Sequence, residues 1–196
     1  MANRYGVVET TKITEICYDF VNATTNIENG WVVKKGDLVT GERNVYTAAV
    51  PAVTDKVYLV ANPAWSYTDI PSEQGEENFI NVANKVFRGY GLADTNKFGV
   101  KAYSITPVDA STPITVGDYV GVDGTTMKLI DLGATEPDGD ARGFIGKVTE
   151  VYDDGIFPCL NICTVTSPAG TPPVGGGVIV PDSQWVIIEV VQNKNV

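Results

Sequence analysis

Short valine-bearing runs fenced by glycine, proline, asparagine and aspartate are the feature that most restricts how this chain folds. Val45-Tyr46-Thr47-Ala48 is one such run and Val57-Tyr58-Leu59-Val60 another, with Pro51 and Pro63 as their bounds. β-Branched and aromatic side chains suit a pleated surface, and the fencing residues supply turns. Apolar residues make up 43% of the 196 and charged residues 19%, a balance that builds a core rather than a disordered chain. The expected fold class is mainly β: small β-barrel or sandwich modules with one short α-helix and an extended N-terminal arm.

Residues 1–12 read as an extended arm or edge strand, followed by a strand-like stretch over 13–21 and a polar loop, NATTNIENG. Trp31-Val32-Val33 leads into Lys35-Gly36-Asp37-Leu38-Val39, read as a short turn between strands. The helix is expected near residues 76–88. Phe79, Val82, Val86 and Phe87 there fall at i, i+3, i+7 and i+8, Glu76 and Glu77 occupy the first turn, and Arg88 and Gly89 mark the end. It is expected to plug the core. The organisation is thus an arm (1–12), a β-rich module (13–97) and a small barrel module (98–196), or one compact domain containing all three.

In the second half Phe98, Val100 and Ala102 alternate with Lys101 and Tyr103, and strands are expected over 118–122, 127–130, 144–151 and 185–191. Asp123-Gly124 is a hairpin signal. The final run, WVIIEVV, is apolar enough to lie covered on both faces and close the barrel. SPAGTPPVGGGVIVPD, at 167–182, reads as a long projecting loop. VKKGDLVTGE at 33–42 also echoes ITVGDYVGVDG at 114–124, a hint of two related modules.

The chain has no histidine, which removes Ser-His-Asp and Cys-His catalysis and the commonest metal ligand. Cys17, Cys159 and Cys163 are too few for a structural zinc site and odd in number for a disulfide framework. Glu136-Pro137-Asp138-Gly139-Asp140 looks superficially like a calcium loop, but counting from Glu136 the sixth and twelfth positions hold Ala141 and Lys147 instead of Gly and Glu. That cluster and Asp153-Asp154-Gly155 read as solvated turns. Trp31, Trp65 and Trp185 are scattered, and no spacing singles out an acid pair for glycoside hydrolysis. Gly175-Gly176-Gly177 lacks the Lys-Ser/Thr of a phosphate loop. No enzyme activity, cofactor or metal is expected. The net charge of −10, without a basic run, argues against nucleic acid as a partner. The start, MANRYGVV, is not a signal sequence and no apolar stretch matches a membrane span, so cytoplasmic synthesis is expected and a membrane is not.

The order of motifs resembles the head decoration (cement) proteins of tailed bacteriophages. The segments that carry it are IENGWVVKKGDLVTGERNVYTAAVP (27–51), VYLVANP (57–63), NFINVANKVFRGYGL (78–92), FGVKAYSI (98–105), VGDYVGV (116–122), GFIGKVTEVYDDG (143–155) and WVIIEVV (185–191). The resemblance implies a structural protein made in the host cytoplasm and placed on the outer surface of the virion. There it would bind the major capsid protein and neighbouring copies of itself, cementing capsomers. A trimer fits the three-fold positions such proteins often occupy, with a monomer as the alternative. The capsid-contact candidates are Asn3, Arg4, Tyr5, Val7 and Val8 in the arm, able to add as a strand to a sheet edge, and Pro172, Pro173, Val178 and Val180 in the Pro/Gly loop. The rival is a tail, fibre or other glycan- or receptor-binding β-module.

Overall fold

A computed structural model describes residues 9–63, 79–108, 112–153 and 184–196. The protein is mainly β, its strands falling into a closed barrel and an open sheet.

The barrel comprises β2 (Cys17–Val21), β3 (Val32–Leu38), β4 (Val45–Ala49), β5 (Tyr58–Val60) and β6 (Val86–Gly91), closed in the order β2-β4-β3-β5-β6. Only β2 and β4 run parallel. Alternate residues point inward, so Phe20, Val33, Ala48, Val60 and Phe87 fill the interior, with Ile27 and Met127 joining the same cluster. Gly89 is required there: a Cβ on it would lie 2.6 Å from Phe20 Cε2.

The open sheet contains β1 (Glu9–Lys12), β7 (Lys97–Lys101), β8 (Ile105–Thr106), β9 (Tyr119–Val122), β10 (Leu129–Gly133), β11 (Phe144–Asp153) and β12 (Gln184–Asn193). Its order is β1-β7-β12-β11-β9-β10-β8. Residues 9–12 therefore form an edge strand. β12 lies centrally between β7 and β11, which explains its apolar run: Val186, Ile187, Ile188 and Val190 are buried, although Val191 emerges at 41% exposure. The second half thus builds an open sheet, and the closed barrel is made by residues 17–91 instead. Among the described residues β8 joins only β10, in parallel, and β1 only β7, so these two edge strands do not pair with each other.

Barrel and sheet share a core. Val32 and Val33 are both fully buried, as are Leu59 and Val60, although neighbours on a strand face opposite ways. Val33 and Val60 enter the barrel, while Val32 and Leu59 pack with Phe98, Val100, Phe144, Val186 and Ile188 of the sheet. The start of β3 and the end of β5 are therefore covered on both sides. Each such side chain contributes roughly 1.5–3 kcal/mol of hydrophobic stabilisation. The backbone fastens the same joint: Val32 N–H donates to Met127 O at 2.7 Å, Gly143 N–H to Val53 O at 2.8 Å, and Val196 N–H to Thr54 O at 3.0 Å.

Three sequence expectations need correction. No helix forms over the described part of 76–88. Ile27 and Asn81 exchange backbone hydrogen bonds at 2.9 Å in both directions, Asn84 adopts φ 63°, and residues 86–91 become β6. Val86 is 54% exposed and Phe87 2%, the alternation of a strand rather than one apolar helix face. The four apolar positions matched a helical period, but pairing with β2 and β5 overrode it. Secondly, Gly36-Asp37 is not a turn. β3 continues to Leu38 with a register shift between Lys35 and Leu38, Gly36 leaving room for Thr47, and the chain turns at Thr40-Gly41, where Gly41 has φ 88°. Thirdly, in the echoing segment Gly117 does turn, with φ 100°, and Asp118 Oδ2 accepts from Thr115 N at 2.7 Å. The two Gly-Asp pairs are alike in sequence and different in structure. The hairpin at Asp123-Gly124 is present: β9 and β10 pair antiparallel, Gly124 has φ 81°, and Asp123 Oδ1 accepts the N–H groups of Thr125 and Thr126 at 2.6 and 2.7 Å.

Candidate functional site

The inward rows of the barrel change character at one end. Two residues before Phe20, Ala48 and Val60 stand Tyr18, Tyr46 and Tyr58, and two residues after Val33 stands Lys35. The strand directions bring these four positions to one mouth, where the tyrosines pack half-buried on the interior cluster. Glycines make space for them: Tyr18 lies opposite Gly89 and Tyr58 opposite Gly91 on β6.

The rings meet edge to face. Tyr18 and Tyr46 centroids are 5.9 Å apart at 81°, and Tyr18 and Tyr58 are 5.5 Å apart at 86°. The Lys35 ammonium lies 3.9 Å from the Tyr18 ring centroid and 3.7 Å from that of Tyr46, positioned over both faces. Such cation–π contacts contribute roughly 0.5–2 kcal/mol each. Burial, then the neighbouring Tyr18, Glu15 and Tyr46, raises the pKa of the Tyr58 phenol above its usual value, so its hydroxyl is neutral at physiological pH. Ile16 is 65% exposed and Leu38 46% at the same end, where Gly91 N–H donates to Ile16 O and Leu38 pairs with Tyr46. The result is an aromatic surface with the Lys35 cation over Tyr18 and Tyr46, the Glu15 carboxylate on the Tyr58 side, and an aliphatic rim.

Cys17, beside the mouth, is surface-exposed, but desolvation raises its thiol pKa, outweighing the lowering by Arg88, so the thiolate needed for nucleophilic attack is scarce. The acidic turn is solvated: Asp138 Oδ1 accepts the Asp140 N–H at 3.0 Å, and the Asp140 side chain is 97% exposed. Among the described residues no group of three His, Cys, Asp or Glu is set to hold a metal ion, and no helix is long and apolar enough to cross a membrane.

Two further aromatic features lie elsewhere. Trp185 stacks with Tyr152 at 6.4 Å, and Lys101 Nζ lies 4.3 Å from the Trp185 centroid. Nearby a shallow groove of about 170 Å³ is lined by Lys12, Lys97, Glu150 and Tyr152 among others. Trp31 packs against the barrel interior, with Lys128 Nζ 5.7 Å from its ring. The contact candidates Asn3, Arg4, Tyr5, Val7, Val8, Pro172, Pro173, Val178 and Val180 lie outside the described residues, as do Trp65, Cys159, Cys163 and Gly175-Gly176-Gly177. Tyr18, Lys35, Tyr46 and Tyr58 were not among the sequence candidates. The signal for three of them is the repeated spacing Tyr-x-Phe, Tyr-x-Ala and Tyr-x-Val, which becomes meaningful only once the strands are placed side by side.

No family model, no curated protein and no solved structure matches the chain.

Proposed function

We propose that this chain is a non-catalytic structural protein of a virion, a decoration protein that binds the outer surface of a phage head and bridges capsomers. The observation that carries the proposal is the barrel mouth: its functional groups form a half-buried aromatic surface with an exposed aliphatic rim, suited to docking rather than turnover. The resemblance over residues 27–191 supplies the partner, the major capsid protein. A net charge of −10 keeps free copies apart before assembly and favours the outside of a DNA container over its lining.

A second contact follows from the edge of the open sheet. Among the described residues β1 pairs with β7 alone, so its other edge is available to a strand of capsid protein or of a neighbouring copy. The arm candidates from Asn3 to Val8 directly precede this strand. Two modest contacts per copy, repeated over a lattice, multiply through avidity.

The test mixes purified protein with phage heads prepared without it and sediments the particles. Saturable co-sedimentation is expected. Failure to sediment, together with retention on a glycan array, would replace this proposal with the glycan-binding module.

A further inference from the structure

We infer that the barrel mouth recognises a carboxylate, an Asp or Glu side chain set among apolar residues of the partner protein, with Lys35 as its anchor. This rests on the docking role proposed above and names the chemistry of that contact.

Acidic residues outnumber basic ones 24 to 14 in this chain, and several ammonium groups pair with carboxylates. Lys34, the neighbour of Lys35, does so with Asp55 at 2.8 Å, and Lys97 with Glu189 at 2.9 Å. Lys35 is different. Its ammonium touches the Tyr18 and Tyr46 faces, and among the described residues it pairs with no carboxylate. Ring faces attract a cation without accepting the strong, directed hydrogen bonds of its N–H groups. The ammonium of this half-buried residue is therefore held in place and still able to donate.

A carboxylate arriving from outside completes that set, and the rings shield the pair from water, which strengthens it relative to a fully exposed ion pair. The rim decides between sources of the carboxylate. Ile16 and Leu38 offer aliphatic surface to apolar side chains flanking an Asp or Glu. A sugar acid would instead seek an open ring face to stack on, and Lys35 already occupies one face of both Tyr18 and Tyr46.

The test compares wild type, Lys35→Arg and Lys35→Met, with circular dichroism and thermal melts confirming that each is folded. Binding is measured to heads prepared without the protein and, separately, to an array of peptides carrying Glu or Gln between leucines. Wild type and Lys35→Arg are expected to bind heads, and Lys35→Met at least tenfold more weakly. On the array, Glu peptides are expected to be retained over Gln peptides by wild type and not by Lys35→Met. Equal binding of heads by all three proteins would overturn the inference while leaving the docking role standing. If no protein binds heads, the docking role fails and the array alone decides: Glu-over-Gln discrimination that requires Lys35 supports the inference, and equal retention overturns it. Lys35-dependent retention on sialylated or uronic-acid glycans, without peptide discrimination, would also overturn it.

Discussion

The side-chain amide of Asn193 holds both backbone groups of Val57. Val57 N–H donates to Asn193 Oδ1 at 2.9 Å, and Asn193 Nδ2 donates to the Val57 carbonyl at 3.0 Å and to the Leu92 carbonyl at 2.9 Å. Asn193 ends β12, an interior strand of the open sheet, Val57 precedes β5 and Leu92 follows β6. One buried amide thus joins the sheet to two places on the barrel.

Replacing Asn193 by Ala leaves three buried backbone groups of the barrel without these partners. A loss of about 2–4 kcal/mol in unfolding free energy is expected, since an orphaned buried polar group costs more than the hydrogen bond contributed. Denaturant titration measures it. Hydrogen exchange locates it, with the Val57 amide losing protection before those of β9 and β10.

β6 separates strand from helix at two adjacent positions. Phe87→Ala is expected to cost about 3–5 kcal/mol, because the ring fills the barrel, whereas Val86→Ala should stay within about 0.5 kcal/mol. A helix would have placed both residues on one buried face. Comparable losses at the two positions, by thermal or chemical denaturation, would restore the helix.

Gly89→Ala introduces a methyl group against the Phe20 ring. Overpacking of this kind costs about 1–3 kcal/mol. Pairing it with Phe20→Leu should recover part of that loss, and a double-mutant cycle reads the coupling directly.

Acid stability follows from two surface carboxyls. Partial burial alone would raise both, but the Lys34 ammonium and the Ala52 N–H lower Asp55, and the Thr126 and Thr125 N–H groups lower Asp123, below the ordinary value of 3.8. A carboxyl depressed in the folded state stabilises it above the unfolded pKa, and that stability disappears as pH falls through the folded value. Stability against urea should therefore show no loss from these groups between about pH 7 and 5 and should decline below about pH 4. In Asp55→Asn and Asp123→Asn the decline should be shallower.

What the sequence disclosed followed from local chemistry. The strands around Val45, Tyr58, Phe144 and Trp185, and the Asp123-Gly124 turn, were legible because β-branched runs and turn formers act within a few residues. Phe79, Val82, Val86 and Phe87 misled because a short apolar pattern fits two periods, and the choice came from β2 and β5, strands distant in sequence. Barrel closure was illegible for the same reason: the parallel pairing of Asp19 with Val45 and the return of Val21 to Val86 are long-range events. The mouth depends on that closure. Tyr18, Lys35, Tyr46 and Tyr58 sit on four strands, and only their register makes them neighbours.

Quantitative mass spectrometry of gradient-purified virions, counting this chain against the major capsid protein, tests the proposed role most directly. A decoration protein should be present at a copy number comparable to the capsid protein and should be released from the particle surface without opening the head. Its absence from virions that carry a full complement of capsid protein would contradict the role.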